Sequence, residues 1–198
     1  MHKTDRQIII DIISQAFIEN PRTNAMMKKK NPLRSVRIMA EYAYDLVSGF
    51  NGIYLSKDKT TVIFYYRISE FKRGFIGNLK YARMFLRAIR FSQLLPTLKR
   101  EKIIRSRRAD FDDYLYVWLL GSVRDKTSIR GLVDINNHLI DRSKEYNIPI
   151  LIETTIEKIL KLYNYVGFET YNKWHDQDAD LDVWFLKREL EKKERQPA

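Results

Sequence analysis

Hydrophobic residues near the N-terminus recur at helical spacing and predict two helices. The first carries the apolar positions Ile9, Ile12, Ile13, Ala16 and Phe17. Thr4 or Asp5 can cap this helix, and Asn20-Pro21 ends it, because the residue before a proline disfavours helical backbone angles. A second helix is predicted over residues 33–47, with Gly49 just beyond its end as a C-terminal cap.

Runs of β-branched and aromatic residues predict a mixed sheet. Residues 52–56 and 61–68 form a predicted antiparallel hairpin. Further strands are predicted at 114–120, 150–154, 168–174 and 181–186, with helices at 132–146 and 157–165. The strand–helix–strand order implies neighbouring parallel strands joined by a right-handed crossover. The predicted fold class is α/β (α+β mixed sheet), a central mixed sheet with helices on both faces.

The segment 71–108 holds most of the excess positive charge of a chain whose formal net charge is +11. Apolar residues alternate there with lysine and arginine, which predicts one or two basic helices. Tyr81, Phe85 and Phe91 are interleaved with the charges, a pattern that also suits phosphate contact and base stacking in a nucleic-acid or anionic-surface binder. We favour the alternative, a solvated basic face whose aromatic side chains turn toward the core.

The composition excludes several kinds of chemistry. The chain has no cysteine, which rules out disulfides and thiolate catalysis. His2, His138 and His175 are far apart in sequence, so no metal site is predicted. The alternating aspartates from Asp176 to Asp182 lack the glycine and glutamate of a calcium loop, so we expect a solvated turn. No signal peptide or apolar membrane span is recognisable, which predicts a cytoplasmic protein.

A polar loop at residues 123–131 connects the apolar strand to the next predicted helix. The first N–H groups of a helix lack intrahelical partners, and the helix dipole adds partial positive charge, so such a junction attracts anions. Ser128 or Thr127 can cap the helix, while Lys126 and Arg130 can add charge toward a pyrophosphate. An ordinary strand-to-helix connection is the alternative interpretation.

Two motifs follow this loop at regular distances. Residues 150–154 read Ile-Leu-Ile-Glu-Thr, and residues 162–168 read Leu-Tyr-Asn-Tyr-Val-Gly-Phe. Together with the strand and loop before them, they resemble the Gcn5-related N-acetyltransferase (GNAT) superfamily. The clear resemblance covers residues 114–172, and a fainter one covers residues 5–70.

The family's loop reads Q/R-x-x-G-x-G/A, which places Gly131 at the last glycine and Lys126 at the first position. Ile129 then replaces the first glycine, so the pyrophosphate loop is degenerate. The resemblance implies acetyl-CoA as co-substrate. It implies as cofactor-binding residues Leu120, Gly121, Ser122, Val123, Lys126, Thr127, Ser128, Ile129, Arg130 and Gly131.

The resemblance also implies catalytic roles for two side chains. Tyr163 matches the family tyrosine that protonates the leaving thiolate, and a phenol can donate that proton. Glu153 matches the strand glutamate, which can deprotonate the amine through water. Other candidate bases are Asp112, Asp113, Glu41 and Glu70. A backbone N–H of the bulged strand near Ser122 or Val123 is expected to polarise the thioester carbonyl.

The sequence therefore predicts an N-acetyltransferase that moves an acetyl group from acetyl-CoA to a primary amine. Residues 1–190 form a predicted single domain with a basic helical insertion at about 71–108, and 191–198 form a charged tail. The basic segment points to an anionic acceptor or an acidic partner, for a monomer or a homodimer. A GNAT-fold CoA-binding module without transfer activity, and a basic nucleic-acid or anion binder, are the alternatives.

Overall fold

The computed structural model describes residues 4–72, 74–108, 110–123 and 129–190, and within them the chain forms helices around one sheet. The helices are α1 (Asp5–Phe17), α2 (Pro21–Met26), α3 (Pro32–Ser48), α4 (Phe75–Ala88), α5 (Leu94–Ser106), α6 (Ile129–Tyr146) and α7 (Glu157–Tyr165). The strands are β1 (Ile53–Leu55), β2 (Thr61–Arg67), β3 (Leu115–Ser122), β4 (Ile150–Thr154), β5 (Glu169–Asp176) and β6 (Leu181–Arg188).

The six strands form one mixed sheet in the order β1-β2-β3-β4-β6-β5. β3 and β4 run parallel and are joined through α6, while every other neighbouring pair is antiparallel. The predicted mixed sheet and its parallel pair are confirmed. β6 lies between β4 and β5, because the final hairpin folds its second strand back onto β4.

Alternate residues of the strands face two different cores. Val62 and Phe64 pack with α1 and α3 on one face. Ile63 and Tyr65 pack on the opposite face with Ile135 and other apolar residues of α6. Because successive strand side chains point to opposite faces, this register buries both sides of β2. The predicted helices on both faces are thus confirmed.

Asparagine and proline both end one helix and begin the next. Asn20 follows α1, and its side chain accepts a hydrogen bond from the N–H of Thr23 at 3.2 Å, which caps α2. Pro21 occupies the first turn of α2, where a missing N–H costs nothing. The end of α1 agrees with the prediction from Asn20-Pro21, whereas the short helix α2 was not predicted. α1 itself begins at a capping box between Thr4 and Gln7.

The basic segment forms α4 and α5, joined by a short 3₁₀ turn. Met84 and Phe85 pack against α3, while Arg83 and Arg87 are exposed. This is the solvated basic face expected from the sequence, except that Phe91 lies on the surface. In contrast, α5 buries Thr97, Arg100 and Ile104.

Candidate active site

The two central strands separate in the middle of the sheet. Parallel pairing of β3 with β4 extends only from Leu115–Ile150 to Val117–Ile152, although β4 stays paired with β6 as far as Thr154. The cause lies in β3, where Leu119 stands opposite Phe64 and Val117 opposite Tyr65, so that Trp118 is an extra residue. Such a bulge bends its strand and disrupts pairing locally.

A cavity of about 210 Å³ opens where the strands separate. We call it the β3–β4 cleft. One wall is formed by residues 116–120 of β3 and 152–156 at the end of β4, with Tyr163 of α7 beside them. The facing wall comes from α1, α2, α3, α4 and α5. Both helices of the basic segment 71–108 therefore supply part of the cavity, whereas the exposed Arg83 and Arg87 do not line it.

Tyr163 is half-buried and lines the β3–β4 cleft. Its ring packs edge-on against Phe168, with ring centroids 5.6 Å apart, and its carbonyl accepts the N–H of Phe168 at 2.9 Å. Gly167 allows this return of the chain because its φ of +85° favours glycine. Burial raises the pKa of Tyr163 above its ordinary value, so the phenol remains protonated at neutral pH.

Glu153 lies at the edge of the same cavity with its side chain buried. Its Oε2 accepts a hydrogen bond from the Tyr116 hydroxyl at 2.6 Å, and Arg108 Nε lies 3.2 Å from its Oε1. The Arg108 guanidinium stacks over the Tyr116 ring at 4.0 Å. Burial and the neighbouring carboxylate raise the pKa of Tyr116 well above its ordinary value, so Tyr116 acts as a neutral donor.

The other predicted bases lie outside the cleft. Glu41 and Glu70 form surface ion pairs with Arg37 and Arg67. Asp113 accepts hydrogen bonds from Arg67 and Ser69 and caps the start of β3 through the N–H of Tyr114. Asp112 is exposed.

Glu101 is a cleft carboxylate that the sequence analysis did not single out. It accepts a hydrogen bond from the Tyr81 hydroxyl at 2.9 Å. Thr97, four residues earlier on the same helix face, also lines the cleft.

Four of the predicted cofactor-binding residues lie at the end of β3 and directly after it. Leu120 lines the cleft, and the Ser122 hydroxyl contacts Thr61 at 3.1 Å. Gly121 packs against α1, where an added Cβ would lie 3.1 Å from both Ile13 and Ala16. Its small size therefore permits helix packing on the sheet.

Val123 cannot supply the predicted polarising N–H, because that group already donates to the carbonyl of Thr60 at 2.9 Å. Alternation along an antiparallel ladder then directs the N–H groups of Ser122 and Leu120 away from β2, toward the side where β4 has separated.

The start of α6 contains the other predicted cofactor residues that the structure describes. Ile129 and Arg130 are exposed, and Gly131 is buried. An added Cβ on Gly131 would lie 2.6 Å from Thr60 Oγ1 and 2.7 Å from Thr61 Oγ1. Gly131 therefore allows α6 to begin directly against the β1–β2 hairpin. Lys126, Thr127 and Ser128 lie outside the described residues.

Two residues set aside in the sequence analysis have defined partners. His138 stacks on Tyr54 at 3.9 Å and shares a hydrogen bond with the Tyr65 hydroxyl at 2.8 Å, and burial lowers its pKa. Asp176 is buried against Arg100, which corrects the expectation that this aspartate belongs to a solvated turn.

In the described ranges, no cluster of three or more histidine, aspartate or glutamate side chains is arranged to hold a metal ion. Nor is any helix there long and apolar enough to cross a bilayer.

No protein-family model and no curated protein matches the chain. Solved structures do match it over nearly its whole length. An acetyltransferase from Corynebacterium glutamicum ATCC 13032, described as histone acetyltransferase HPA2 and related acetyltransferase, has a TM-score of 0.64 and 16% identity, covering 96% of this chain and 94% of that one. The C-terminal condensation domain of Ebony, in complex with β-alanyl-dopamine, has a TM-score of 0.66 and 10% identity, covering 93% of each chain. A polyamine N-acetyltransferase from Drosophila melanogaster has a TM-score of 0.55 and 11% identity, covering 96% and 98%.

The fold is therefore the GNAT-type fold of these acetyltransferases, as the resemblance read from the sequence predicted. At these identities the likeness concerns the fold. Because the same fold carries an acetyltransferase and a condensation domain, it does not fix the acyl donor or the acceptor.

Proposed function

We propose that the protein is an N-acetyltransferase that moves an acetyl group from acetyl-CoA to an amine held in the β3–β4 cleft. The observation that carries this proposal is the placement of Tyr163 beside the point where β3 and β4 separate. A protonated phenol beside an open strand edge can serve a reaction that releases a thiolate.

The residues of the cleft fit an acyl-CoA. The pantetheine arm carries amides, and an extended chain of amides can pair with an unpaired strand edge such as the outer part of β3. The N–H groups of Leu120 and Ser122 are directed toward that edge. The exposed start of α6 and Arg130 would hold the pyrophosphate. When bound, the co-substrate supplies an activated acetyl thioester.

Within this proposal, three groups of the chain handle charge and protons. The N–H of Leu120 stabilises negative charge that develops on the thioester oxygen. Glu153 takes up the proton of the amine through the Tyr116 hydroxyl, which already donates to it at 2.6 Å. Tyr163 gives its proton to the departing sulfur.

A thiol-release assay over a panel of amines tests the proposal. We expect acetyl-CoA-dependent thiol release with at least one amine, and strong loss of turnover in Tyr163→Phe. Tyr165→Phe, on the same helix but 89% exposed, is the matched control and should keep wild-type turnover. Absence of acetyl transfer to every amine class would overturn the proposal.

A CoA-binding module without transfer activity is the second candidate. The buried ion pair of Glu153 with Arg108 favours this candidate, because the carboxylate proposed as the proton acceptor already serves as the partner of a buried cation. Binding of CoA together with no turnover across the amine panel would support this candidate over the first.

A further inference from the structure

Arg100 is a buried cation whose two Nη atoms lack a hydrogen-bond acceptor within the part of the chain that the structure describes. It is 2% exposed and lines the β3–β4 cleft. Its Nε donates to the Asp176 carboxylate, but Nη1 and Nη2 have no hydrogen-bond acceptor among the described residues. Leaving a buried charged donor unpaired is costly, so proteins normally supply an acceptor or bind one.

Thr97 adds a second unpaired group on the same face of α5. It is 5% exposed, lines the cleft, and its Oγ1 has no hydrogen-bond partner among the described residues. Thr97 and Arg100 are three residues apart, which places their side chains next to each other on a helix. Two residues that line one cavity thus each carry buried polar atoms without a hydrogen-bond partner in the described part of the chain.

The orientation of α5 is unfavourable for a purely structural helix. It turns Thr97 and Arg100 inward while Leu95 is 78% exposed and Leu98 is 44% exposed. A helix placed only for stability would bury the leucines. Departures from this rule concentrate at functional sites, where a ligand completes the missing contacts.

We propose that the acceptor carries a carboxylate, which Arg100 binds through Nη1 and Nη2 with help from the Thr97 hydroxyl. This inference rests on the proposed acetyltransferase function and names free amino acids as the class of acceptor. The planar guanidinium matches a carboxylate in a two-pronged hydrogen bond. Asp176 holds the guanidinium from its Nε side and so fixes the direction of the free edge.

The charges of the cleft favour a carboxylate over a phosphate. Glu101 and Glu153 also line the cavity, and Asp176 already balances Arg100. A doubly charged phosphate would add excess negative charge to this buried site, whereas an amino acid brings an ammonium together with its single carboxylate. The cavity of about 210 Å³ also suits a small acceptor.

Matched acceptor pairs that differ only in the carboxylate test the inference. Leucine against isopentylamine, phenylalanine against phenethylamine, and lysine against cadaverine are compared in the acetyl-CoA assay. We expect kcat/KM to favour the amino acid of a productive pair by at least about 100-fold, since a site built for a hydrogen-bonding group rejects analogues that lack it. Phosphoethanolamine serves as the phosphate probe.

Two conservative variants locate the effect. Thr97→Val keeps the side-chain shape, and Arg100→Lys keeps the charge beside Asp176 but loses the planar fork. Both should raise the KM for the amino acid, by about 10-fold or more, and leave the KM of the plain amine unchanged. Lys99→Gln, an exposed neighbour on α5, should change neither value.

The outcomes separate this inference from the proposed function. Acetyl transfer with equal kcat/KM for both members of every pair would overturn the carboxylate site but not the acetyltransferase function. Preference for phosphoethanolamine over the amino acids would do the same. Calorimetric binding of amino acids that is weakened in Thr97→Val and Arg100→Lys would support the site even without any transfer, a result that counts against the transferase.

Discussion

The Tyr116 hydroxyl on β3 donates a 2.6 Å hydrogen bond to the Glu153 carboxylate on β4, next to the last paired residues of the two strands. The two residues belong to neighbouring strands at the point where those strands separate. The same carboxylate balances the buried Arg108 guanidinium. Glu153 therefore links Tyr116, at the point where the cleft opens, to the buried Arg108 cation.

Replacing Glu153 by glutamine should destabilise the protein. The change leaves Arg108 buried without a countercharge, and breaking a buried pair in this way costs about 3–5 kcal/mol. Urea denaturation of Glu153→Gln and wild type measures the difference in the free energy of unfolding. Glu70→Gln, which alters an exposed ion pair with Arg67, is the control and should have little effect. Equal stability of Glu153→Gln and wild type would refute the structural role.

Replacing Tyr163 by phenylalanine should slow the reaction without weakening cofactor binding. Loss of a positioned general acid typically reduces kcat by about 10²–10⁴-fold. The acetyl-CoA dissociation constant, measured by calorimetry, should stay within about 3-fold of wild type because the ring remains packed on Phe168. A variant with normal kcat and impaired acetyl-CoA binding would instead assign Tyr163 to binding.

Adding a methyl group at Gly131 should loosen the junction between α6 and the β1–β2 hairpin. The new Cβ would lie 2.6 and 2.7 Å from the Thr60 and Thr61 hydroxyls. Thr61 is also held by Ser122 at 3.1 Å, so the neighbours cannot move freely. We expect Gly131→Ala to lose about 1–3 kcal/mol in the free energy of unfolding.

Gly49→Ala is the matched control for this experiment. Gly49 has a φ of −66°, and an added Cβ there meets only the carbonyl of Leu46 at 3.6 Å. The control should unfold at nearly the wild-type urea concentration. A Gly131→Ala protein as stable as Gly49→Ala would show that the hairpin tolerates the methyl group.

His138 should make the protein less stable in mild acid. Burial lowers its pKa from the ordinary 6.5, so the unfolded chain takes up a proton before the folded protein does. The free energy of unfolding therefore falls as the pH drops below about 6.5, down to the folded pKa. His138→Gln should lose this part of the pH slope, measured by urea denaturation between about pH 7.5 and pH 5.5. Parallel pH profiles for the variant and wild type would contradict the assignment.

Local pattern was sufficient for most of the fold. The predicted strand at 150–154 and helix at 157–165 coincide with β4 and α7, because both elements carry regular apolar spacing between clear breaks. The parallel neighbours β3 and β4 followed from the strand–helix–strand order. Of the site, the sequence indicated Tyr163 and Glu153 through their motifs, and the structure places both at the cleft.

The remaining features depend on contacts between distant segments. The bulge at Trp118 arises from the register of β2 against β3, which no local pattern specifies. Arg100 and Asp176 are far apart in sequence and meet only because α5 packs beside the final hairpin. In α5, Leu95 and Leu98 are exposed while Thr97 and Arg100 are buried, an arrangement that apolar periodicity does not predict.

Calorimetric titration of the purified chain with acetyl-CoA, and with CoA as the comparison, tests the central claim most directly. We expect saturable binding of both compounds in the micromolar range, because the open edge of β3 and the start of α6 can hold the pantetheine arm and the pyrophosphate. Absence of binding to either compound would contradict it and would mean that this cleft serves a different donor.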